Sequence, residues 1–371
     1  MRDLILKPRT LWVAVGGALF ACMAPAAQAQ WEIKPTDGSS IKVGFLLQGQ
    51  AESVDVAGSD DTSNNLFFRR ARILLGGKIN DQWSFFFETD SPNLGKGTNT
   101  TVNGVPTNVK DAGDMFIQDF VVTYKPGSDA FNLDVGMMLG EVSYNSAQSA
   151  ATLMATDYGV NTFAWSAPLQ ARVGRDYGVR ARGYLFGDHL EYRASVLQGV
   201  RGENSDNDFR FLGRLMFNVF EAQKSLFYPG TTLGKKQLLS FGVSYDTQED
   251  YNTIGADVFW DQPVGDGNGF TFQADYSKLD GDVFLPTLPE QENLLVEAGF
   301  YINSMKLLPF VQYSDKNFDD DTLSDTDKLM FGVGYMFNGH NGNVKLSYGQ
   351  HGTDGSDDRD EIWLQLQLFR Y

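Results

Sequence analysis

A repeated segment of about ten residues, in which apolar and polar side chains alternate, constrains this chain more than any other feature. Each segment is bounded by Gly, Asp, Asn or Pro. A period of two indicates a β-strand, because successive side chains of a strand point to opposite faces. One segment alone is weak evidence, so the prediction depends on their number and spacing. We predict sixteen strands, near 40–50, 66–79, 82–90, 113–125, 130–139, 175–186, 189–199, 209–220, 236–246, 251–261, 268–278, 292–303, 307–315, 326–337, 342–350 and 360–371.

The gaps between these strands alternate in length. Tight turns lie at 80–81, 126–128, 187–188, 265–267, 304–306 and 339–342, with 221–235 as a longer exception. Long polar gaps lie at 51–65, 91–112, 140–174, 200–208, 279–291, 316–325 and 351–359, with 247–250 as a short exception. Long loops at one end and tight turns at the other are typical of outer-membrane barrels, and an even strand count returns both termini to the periplasm. The predicted fold is therefore all-β, a 16-stranded antiparallel transmembrane β-barrel over residues 30–371.

The chemistry of the two strand faces indicates what lies inside. In 209–219 the aromatic and aliphatic side chains share one face, and Arg210, Arg214 and Asn218 share the other. Alternation alone leaves open a soluble barrel or sandwich, which would bury the apolar face. A small packed interior does not hold so many charged side chains, so the charged face favours a water-filled lumen.

The N-terminus has the three parts of an export signal. Positive charges lie in 2–10, an apolar stretch follows at 11–24, and Ala27 and Ala29 supply small residues at the two positions read for cleavage. We therefore predict a signal peptide over residues 1–29. The alternative is lipidation at Cys22, the single cysteine, although the bulky Phe20 fits that motif poorly. In either case no disulfide is expected in the exported chain.

Three stretches carry a family resemblance. They are Phe67 to Arg72 followed by Trp83, Gly174 to Val179 continuing into Leu185–Tyr192, and Arg214 with Phe217, Asn218, Tyr228 and Leu233–Lys236. In these stretches the chain resembles the phosphate-selective porins of the O and P type. The resemblance implies a trimeric sixteen-stranded barrel whose third external loop folds inward as a constriction loop, here about 140–174. It also implies that inward arginines guide phosphate or other anions.

The residues themselves also place arginines together. Arginine suits anion recognition because it stays charged and presents a planar fork to two oxygens. The predicted pore-lining anion pathway consists of Arg70, Arg72, Arg180, Arg182, Arg193, Arg210 and Arg214. The charged residues assigned to the constriction loop are Glu141, Asp157, Arg172 and Arg175. Arg69 has the opposite strand phase, and a charge facing lipid costs about 2–4 kcal/mol, so we expect it at a bulge or at headgroup level.

These features predict a passive diffusion channel in the outer membrane of a Gram-negative bacterium, with a preference for small anions such as phosphate. Segment 140–174 contains no Lys, so modest selectivity is expected rather than a tight phosphate site. The partners expected are outer-membrane lipid, lipopolysaccharide and small anionic solutes, in a homotrimer without a cofactor. A net charge of −17 disfavours nucleic acid.

Two other functions remain open at this stage. Asp257, Asp275 and Glu297 lie in inward phase, and a basic wall facing acidic groups would make a general diffusion porin with little or no anion selectivity. A plugged structural or adhesive barrel with acidic external loops is the alternative of another class. The acidic runs 319–327 and 354–360 lack the spacing of a calcium loop. The three histidines form no recognisable catalytic group, so we predict neither a metal site nor an enzyme.

Overall fold

In a computed structural model, residues 31–35, 38–56, 61–102, 105–202 and 205–371 are described, with the backbone alone for 99–107. The predicted signal peptide at 1–29 lies outside these ranges. The strands are β1 (Trp31–Ile33), β2 (Ser40–Asp55), β3 (Thr62–Lys78), β4 (Trp83–Asp90), β5 (Gly97–Val102), β6 (Val105–Lys110), β7 (Phe116–Tyr124), β8 (Asn132–Leu139), β9 (Arg175–Leu185), β10 (Leu190–Leu197), β11 (Arg210–Asn218), β12 (Leu238–Gln248), β13 (Tyr251–Val264), β14 (Asn268–Asp280), β15 (Gln291–Tyr301), β16 (Leu307–Phe318), β17 (Thr326–Tyr335), β18 (Phe337–His340), β19 (Gly342–Thr353) and β20 (Arg359–Arg370).

Sixteen of these strands close into one antiparallel ring. Each pairs with the next along the chain, except that β4 pairs with β7 across the β5–β6 hairpin and β17 pairs with β19. The ring is completed by β20 and β2, in register from Phe45 opposite Arg370 to Val54 opposite Glu361. All sixteen predicted strands are confirmed. The sequence did not indicate β1, which pairs only with the start of β2, nor β18 or the β5–β6 hairpin.

The two faces of the ring have the chemistry predicted for a lipid-embedded barrel. On β11, Phe211 is 53% exposed and Phe217 is 51% exposed, whereas Arg210 is 0% exposed and Arg214 is 3% exposed. The polar face is thus the buried one, and in a closed ring this face lines the interior. A soluble barrel would place the apolar face inside. We call the interior of the ring the lumen.

The two ends of the ring differ as the spacing predicted. The start of β2 and the end of β20 lie at one end, the terminal rim, together with the turns 79–82, 125–131, 186–189, 219–237, 265–267, 302–306 and 336–341. The other end, the loop rim, carries the β5–β6 hairpin and most of the long connections. Within the described residues, no helix is long and apolar enough to cross a membrane.

Candidate functional site

Segment 140–174 leaves β8 at the loop rim and lies within the lumen. Most of its residues from Gly140 to Thr156 are buried. The stretch 146–158 forms a lobe with a narrow neck, because the Gly159 N–H donates to Asn145 Oδ1 at 3.1 Å. We call residues 146–158 the lumenal lobe.

The lumenal lobe contacts inward side chains on much of the ring. Its backbone carbonyls accept hydrogen bonds from glutamines of β2 and β20, at 3.2 Å for Ala150 and 2.8 Å for Ala151. Lys345 on β19 donates to the carbonyls of Leu153 and Ala155, both at 2.7 Å. Further contacts join the lobe to β14 and β16, at Gln273 and Gln312. The wall therefore holds the lobe across the lumen mainly with neutral and cationic donors, while Gln273 accepts from Gln148 of the lobe.

Segment 219–237 enters the lumen from the terminal rim, where the sequence predicted only a longer turn. Tyr228 is 0% exposed and exchanges two backbone hydrogen bonds of 2.9 Å with Ala147 and Ser149 of the lumenal lobe. Its ring stacks on Tyr144, with 4.8 Å between centroids. The two connections, which start from opposite rims, thus meet inside the barrel. The only signal in the sequence was the length of this turn and its apolar residues.

The meeting point of these connections is tight at Gly230. A side chain there would approach the Thr152 carbonyl oxygen to 2.6 Å and the Leu153 Cα to 2.7 Å. We expect Gly230→Ala to destabilise the folded barrel by about 1–3 kcal/mol, because neither backbone can move freely. Unfolding by urea in lipid vesicles measures this loss. Gly213→Ala is the matched control, since a Cβ at Gly213 has open space around it, and an equal effect of both substitutions would contradict the packing described.

Arg69 and Arg70 on β3 both reach the lumenal lobe. The pairing of β2 and β3 shifts by one residue between Gln48 and Gly49, and Arg69 is the unpaired residue of this bulge. Arg69 Nε lies 2.7 Å from one oxygen of Asp157, and Arg70 Nη2 lies 2.6 Å from the other. The expectation of a bulge at Arg69 is therefore confirmed. The bulge brings two adjacent guanidinium groups to one carboxylate.

Asp157 stays ionised between these arginines. Burial would raise the pKa of its carboxyl, but the charges of Arg69 and Arg70 outweigh burial and hold that pKa well below its usual range. The Asp157 side chain is 12% exposed and that of Arg69 is 26% exposed, so water reaches the group. Two positive charges against one negative charge leave this site with a local excess of one positive charge.

The arginines of β9 and β10 lie side by side, as the strand order predicted. Arg180 and Arg182 both contact Asp134 on β8 at 2.7 Å. Glu141, the second residue of segment 140–174, lies 2.5 Å from Arg180 and also pairs with Arg193. These three arginines are thus joined in one buried network, whose carboxylates are Asp134, Glu141 and Glu191.

The remaining inward arginines are also paired with carboxylates. Arg72 contacts Glu88 at 2.5 Å and Asp90 at 3.0 Å. The other pairs are Arg175 with Asp119, Arg210 with Asp246 and Arg214 with Asp257, at 3.1, 2.6 and 2.7 Å. Sequence phase placed Arg72, Arg210 and Arg214 on the inner face, but the carboxylates that pair with the four arginines are up to 56 residues away along the chain.

Arg172 lies apart from this group. Its side chain is exposed, and its guanidinium lies 3.4 Å from the ring centroid of Phe116 at the start of β7. Of the four charged residues assigned to the constriction loop, Glu141 and Asp157 contact arginines of the wall. Arg175 belongs to β9 and forms part of the wall itself.

Three inward carboxylates on β13–β15 are held mainly by neutral donors. Asp261 accepts the Thr232 N–H at 2.5 Å, Asp275 accepts the Asn145 N–H at 2.7 Å, and Glu297 accepts the Gln312 side chain at 3.0 Å. The Gln312 side chain also donates to the backbone carbonyl of Asp157 at 3.2 Å, so Glu297 lies close to the site of Arg69, Arg70 and Asp157. The inner face therefore carries carboxylates as well as arginines, and two of the three carboxylates named for the general-diffusion alternative, Asp275 and Glu297, are among them.

His340 in the short strand β18 links the terminal rim to segment 219–237. Its Nε2 lies 2.9 Å from the Thr231 carbonyl oxygen, and its Nδ1 has no partner among the described residues. Burial lowers the pKa of His340 to about 4. The ring is thus neutral at pH 7, with Nε2–H donating to Thr231.

We expect acid to weaken the fold through His340. Its folded-state pKa lies below the ordinary value of 6.5, so the folded state resists protonation and stability falls between pH 6.5 and 4, by roughly 3 kcal/mol. Urea unfolding at pH 7 and pH 4.5 measures the loss. His340→Gln keeps a donor for Thr231 without a titrating group, so its unfolding should depend less on pH. An equal pH dependence in both proteins would contradict this role.

No group of three or more His, Cys, Asp or Glu among the described residues is arranged to hold a metal ion. The acidic run 319–327 lies at the loop rim, where Asp320 accepts hydrogen bonds from Thr322. His189 and His340 lie in different turns of the terminal rim, and His351 lies on β19.

The chain matches the family model of the phosphate-selective porins O and P over residues 41–275. Compared with curated protein sequences, it has no significant match. Among solved structures, an anion-selective porin from Comamonas acidovorans is 10% identical with a TM-score of 0.61, over 89% of this chain and 99% of that one. The outer-membrane channel DcaP of Acinetobacter baumannii is 14% identical with a TM-score of 0.58, over 91% and 99%. OmpT of Vibrio cholerae, in a trimer form, is 11% identical with a TM-score of 0.54, over 90% and 100%.

The structural neighbours show the fold, and the family model shows the relationship. A closed polar-lined ring with an apolar exterior is a structure for crossing an outer membrane, and family and fold point to a channel rather than an enzyme. The predicted location and passive transport function are thereby confirmed. Since the family model spans well over half of its length, this chain belongs to the phosphate-selective porin O and P family.

Proposed function

We propose that this porin conducts small hydrophilic anions past the site formed by Arg69, Arg70 and Asp157. The observation that carries the proposal is the local excess of positive charge there, at side chains that water reaches. The other arginines of the predicted pathway are nearly fully buried and matched by carboxylates. They supply a polarised wall, whereas the β3 bulge supplies the net charge.

A single net positive charge is enough to give a measurable preference for anions over cations. Two unit charges 4 Å apart in water interact with about 1 kcal/mol, which corresponds to about a fivefold change in local ion concentration. Low-dielectric walls around a narrow passage strengthen this effect. We therefore expect modest selectivity for anions such as phosphate and chloride. In this proposal the anion pathway is lined by the seven arginines predicted from the sequence, which are Arg70, Arg72, Arg180, Arg182, Arg193, Arg210 and Arg214.

Segment 140–174 acts as the constriction loop in this proposal. Support comes from the lumenal lobe, which occupies space that a 16-stranded ring would otherwise leave to water. Segment 219–237 acts with it, because the two are joined by backbone hydrogen bonds at Tyr228. The terminal rim faces the periplasm and the loop rim faces the medium, where lipopolysaccharide and its ions meet the acidic loops.

A homotrimer is the proposed assembly. Its support is the fold shared with a neighbour solved as a trimer, OmpT of Vibrio cholerae. Outer-membrane lipid covers the rest of the exposed apolar band, which includes Phe211 and Phe217. Cross-linking of the protein in native outer membranes, followed by electrophoresis, distinguishes a trimer from a monomer.

Liposome swelling with sugars of equal size and different charge tests the proposed preference. Glucuronate should enter fastest, glucose next and glucosamine slowest, because these solutes differ mainly in charge. Arg69→Gln should reduce the advantage of glucuronate over glucosamine. Faster entry of glucosamine than of glucuronate into vesicles holding the original protein would refute the anion preference.

A plugged barrel is the second candidate, and a specific observation favours it. Met154 of the lumenal lobe and Leu233 of segment 219–237 pack in one apolar cluster with Phe310 and Met330 of the wall. Such packing inside the ring resembles a core more than a water-filled passage. Protein that is folded and inserted in a planar bilayer, yet gives no conductance steps, would establish this second function.

A further inference from the structure

A small polar cavity lies between the neck of the lumenal lobe and the inner faces of β14–β16. Its volume is about 20 Å³. Ser277, Asn293 and Ser314 line it from the wall, and Asn161 and Thr162 line it from segment 140–174. Asp275, one of the inward carboxylates, is among its lining residues, whereas Arg69, Arg70 and Asp157 are not. Some lining residues belong to the predicted constriction loop 140–174 and Asp275 was noted in inward phase, but the sequence did not single out Asn293 or Ser314.

Two of the lining side chains have unused hydrogen-bonding groups. Asn293 is 6% exposed, and neither its amide nitrogen nor its amide oxygen has a partner among the described residues. Ser314 is 2% exposed, and its hydroxyl also has no partner in that part of the chain. A buried polar group without a partner costs about 1–3 kcal/mol. Such groups at one cavity point to a ligand that supplies the missing hydrogen bonds.

The charge of the cavity indicates a neutral ligand. An anion would meet the Asp275 carboxylate, and no Lys or Arg is among the lining residues. A cation would meet a carboxylate already in use, since one oxygen of Asp275 accepts the Asn145 N–H and the other accepts the Gln273 side chain at 2.9 Å. It would also face the donor nitrogen of Asn293. Neither ion is matched by these groups.

A hydroxyl group matches them better. It donates one hydrogen bond and accepts others, which is the combination that an unpartnered amide and an unpartnered serine hydroxyl require. A cavity that admits about 10–15 Å³ of water-sized volume holds one water molecule, so about 20 Å³ suits one hydroxyl group and its carbon. A polyhydroxylated solute would therefore bind here one hydroxyl at a time as it passes.

We propose that Asn293 and Ser314 form a hydroxyl-binding site for neutral polyols and sugars on the β15–β16 wall of this porin. The proposal rests on the passive channel proposed above and names a second class of solute for it. Neutral solutes would be recognised at this wall and anions at the β3 bulge. Two walls of the same lumen would then bind two different classes of solute.

Single-channel recording in KCl with added xylitol tests the site. Xylitol should reduce the current beyond the change in bulk conductivity, and this excess reduction should saturate as the concentration rises. Triethylene glycol dimethyl ether, a neutral solute that only accepts hydrogen bonds, should give a much weaker effect. A xylitol effect that merely follows bulk conductivity would mean that the cavity holds water only, and would overturn the proposal.

Two variants assign the effect to the cavity. Asn293→Leu and Ser314→Ala should each weaken xylitol binding by about fivefold, the value of about one lost hydrogen bond. Asn132→Leu and Ser195→Ala are matched controls, because both residues are buried and inward-facing on the distant β8 and β10. Equal weakening by the controls would refute the assignment. Heat-modifiable electrophoretic mobility shows which variants are folded. If Asn293→Leu does not fold, Ser314→Ala still tests the site, because it removes only one oxygen atom.

The reversal potential of the same channels separates this proposal from the first. Loss of anion preference with saturable xylitol binding would overturn the proposed anion pathway and leave the polyol site in place. Anion preference without saturable xylitol binding would overturn the polyol site and leave the proposed anion pathway in place.

Discussion

Excising residues 146–158 and joining Asn145 to Gly159 through two glycines should raise the single-channel conductance in KCl by at least about twofold. The reason is geometric, because the lumenal lobe lies inside a ring of sixteen strands that would otherwise enclose a wide water-filled lumen. The excision spares the neck, whose ends already lie side by side, and it spares Glu141 with its arginine partners. Planar bilayer recording of the folded variant measures the change.

An excision of equal length in the loop-rim hairpin, residues 98–110, is the matched control. This hairpin forms its own two-stranded sheet at the loop rim, so its removal should leave the conductance within about a factor of 1.5. If both excisions changed the conductance equally, or if the lobe excision left it unchanged, the lobe would not narrow the passage. A folded lobe variant without conductance steps would favour the plugged barrel.

Asp157→Asn should have the largest effect of any single substitution on ion selectivity. It leaves the guanidinium groups of Arg69 and Arg70 in place and removes the carboxylate that both contact. One added positive charge beside the passage should raise the chloride-to-potassium permeability ratio by about fivefold, the equivalent of about 1 kcal/mol. Reversal potentials across a KCl gradient measure this ratio.

Asp134→Asn is the control with the same change of charge. Asp134 also contacts two arginines, Arg180 and Arg182, but its side chain is 0% exposed. We expect this variant to lose about 3–5 kcal/mol of stability, because Arg182 loses its carboxylate partner and Arg180 keeps only Glu141, and to change selectivity less than Asp157→Asn. Equal shifts of the reversal potential in both variants would mean that net charge, rather than the water-exposed site, sets the preference.

The ring was predictable from sequence because lipid and water impose a pattern on each strand. Every second residue must be apolar where the exterior faces hydrocarbon, so β11 shows Phe211 and Phe217 alternating with Arg210 and Arg214. The same phase correctly placed the predicted arginines on the inner face. The bulge at Arg69 was also indicated by the sequence, because two adjacent arginines conflict with strict alternation of polar and apolar residues.

What lies inside the ring could not be predicted in the same way. The carboxylate partners of the arginines, such as Asp134 for Arg180, depend on contacts between distant parts of the chain that no local period records. Segment 219–237 enters the lumen through contacts of Tyr228 with the lumenal lobe, which is itself irregular in sequence. The cavity at Asn293 depends on three strands and a loop coming together. Such features follow from packing rather than from periodicity.

The reversal potential of the unmodified protein in a planar bilayer, under a KCl gradient, tests the central claim most directly. The arginine-lined pathway with its positive excess at Arg69 and Arg70 predicts a potential whose sign is set by chloride. A potential whose sign is set by potassium would contradict it, and would mean that Asp261, Asp275 and Glu297 determine the charge of the lumen instead.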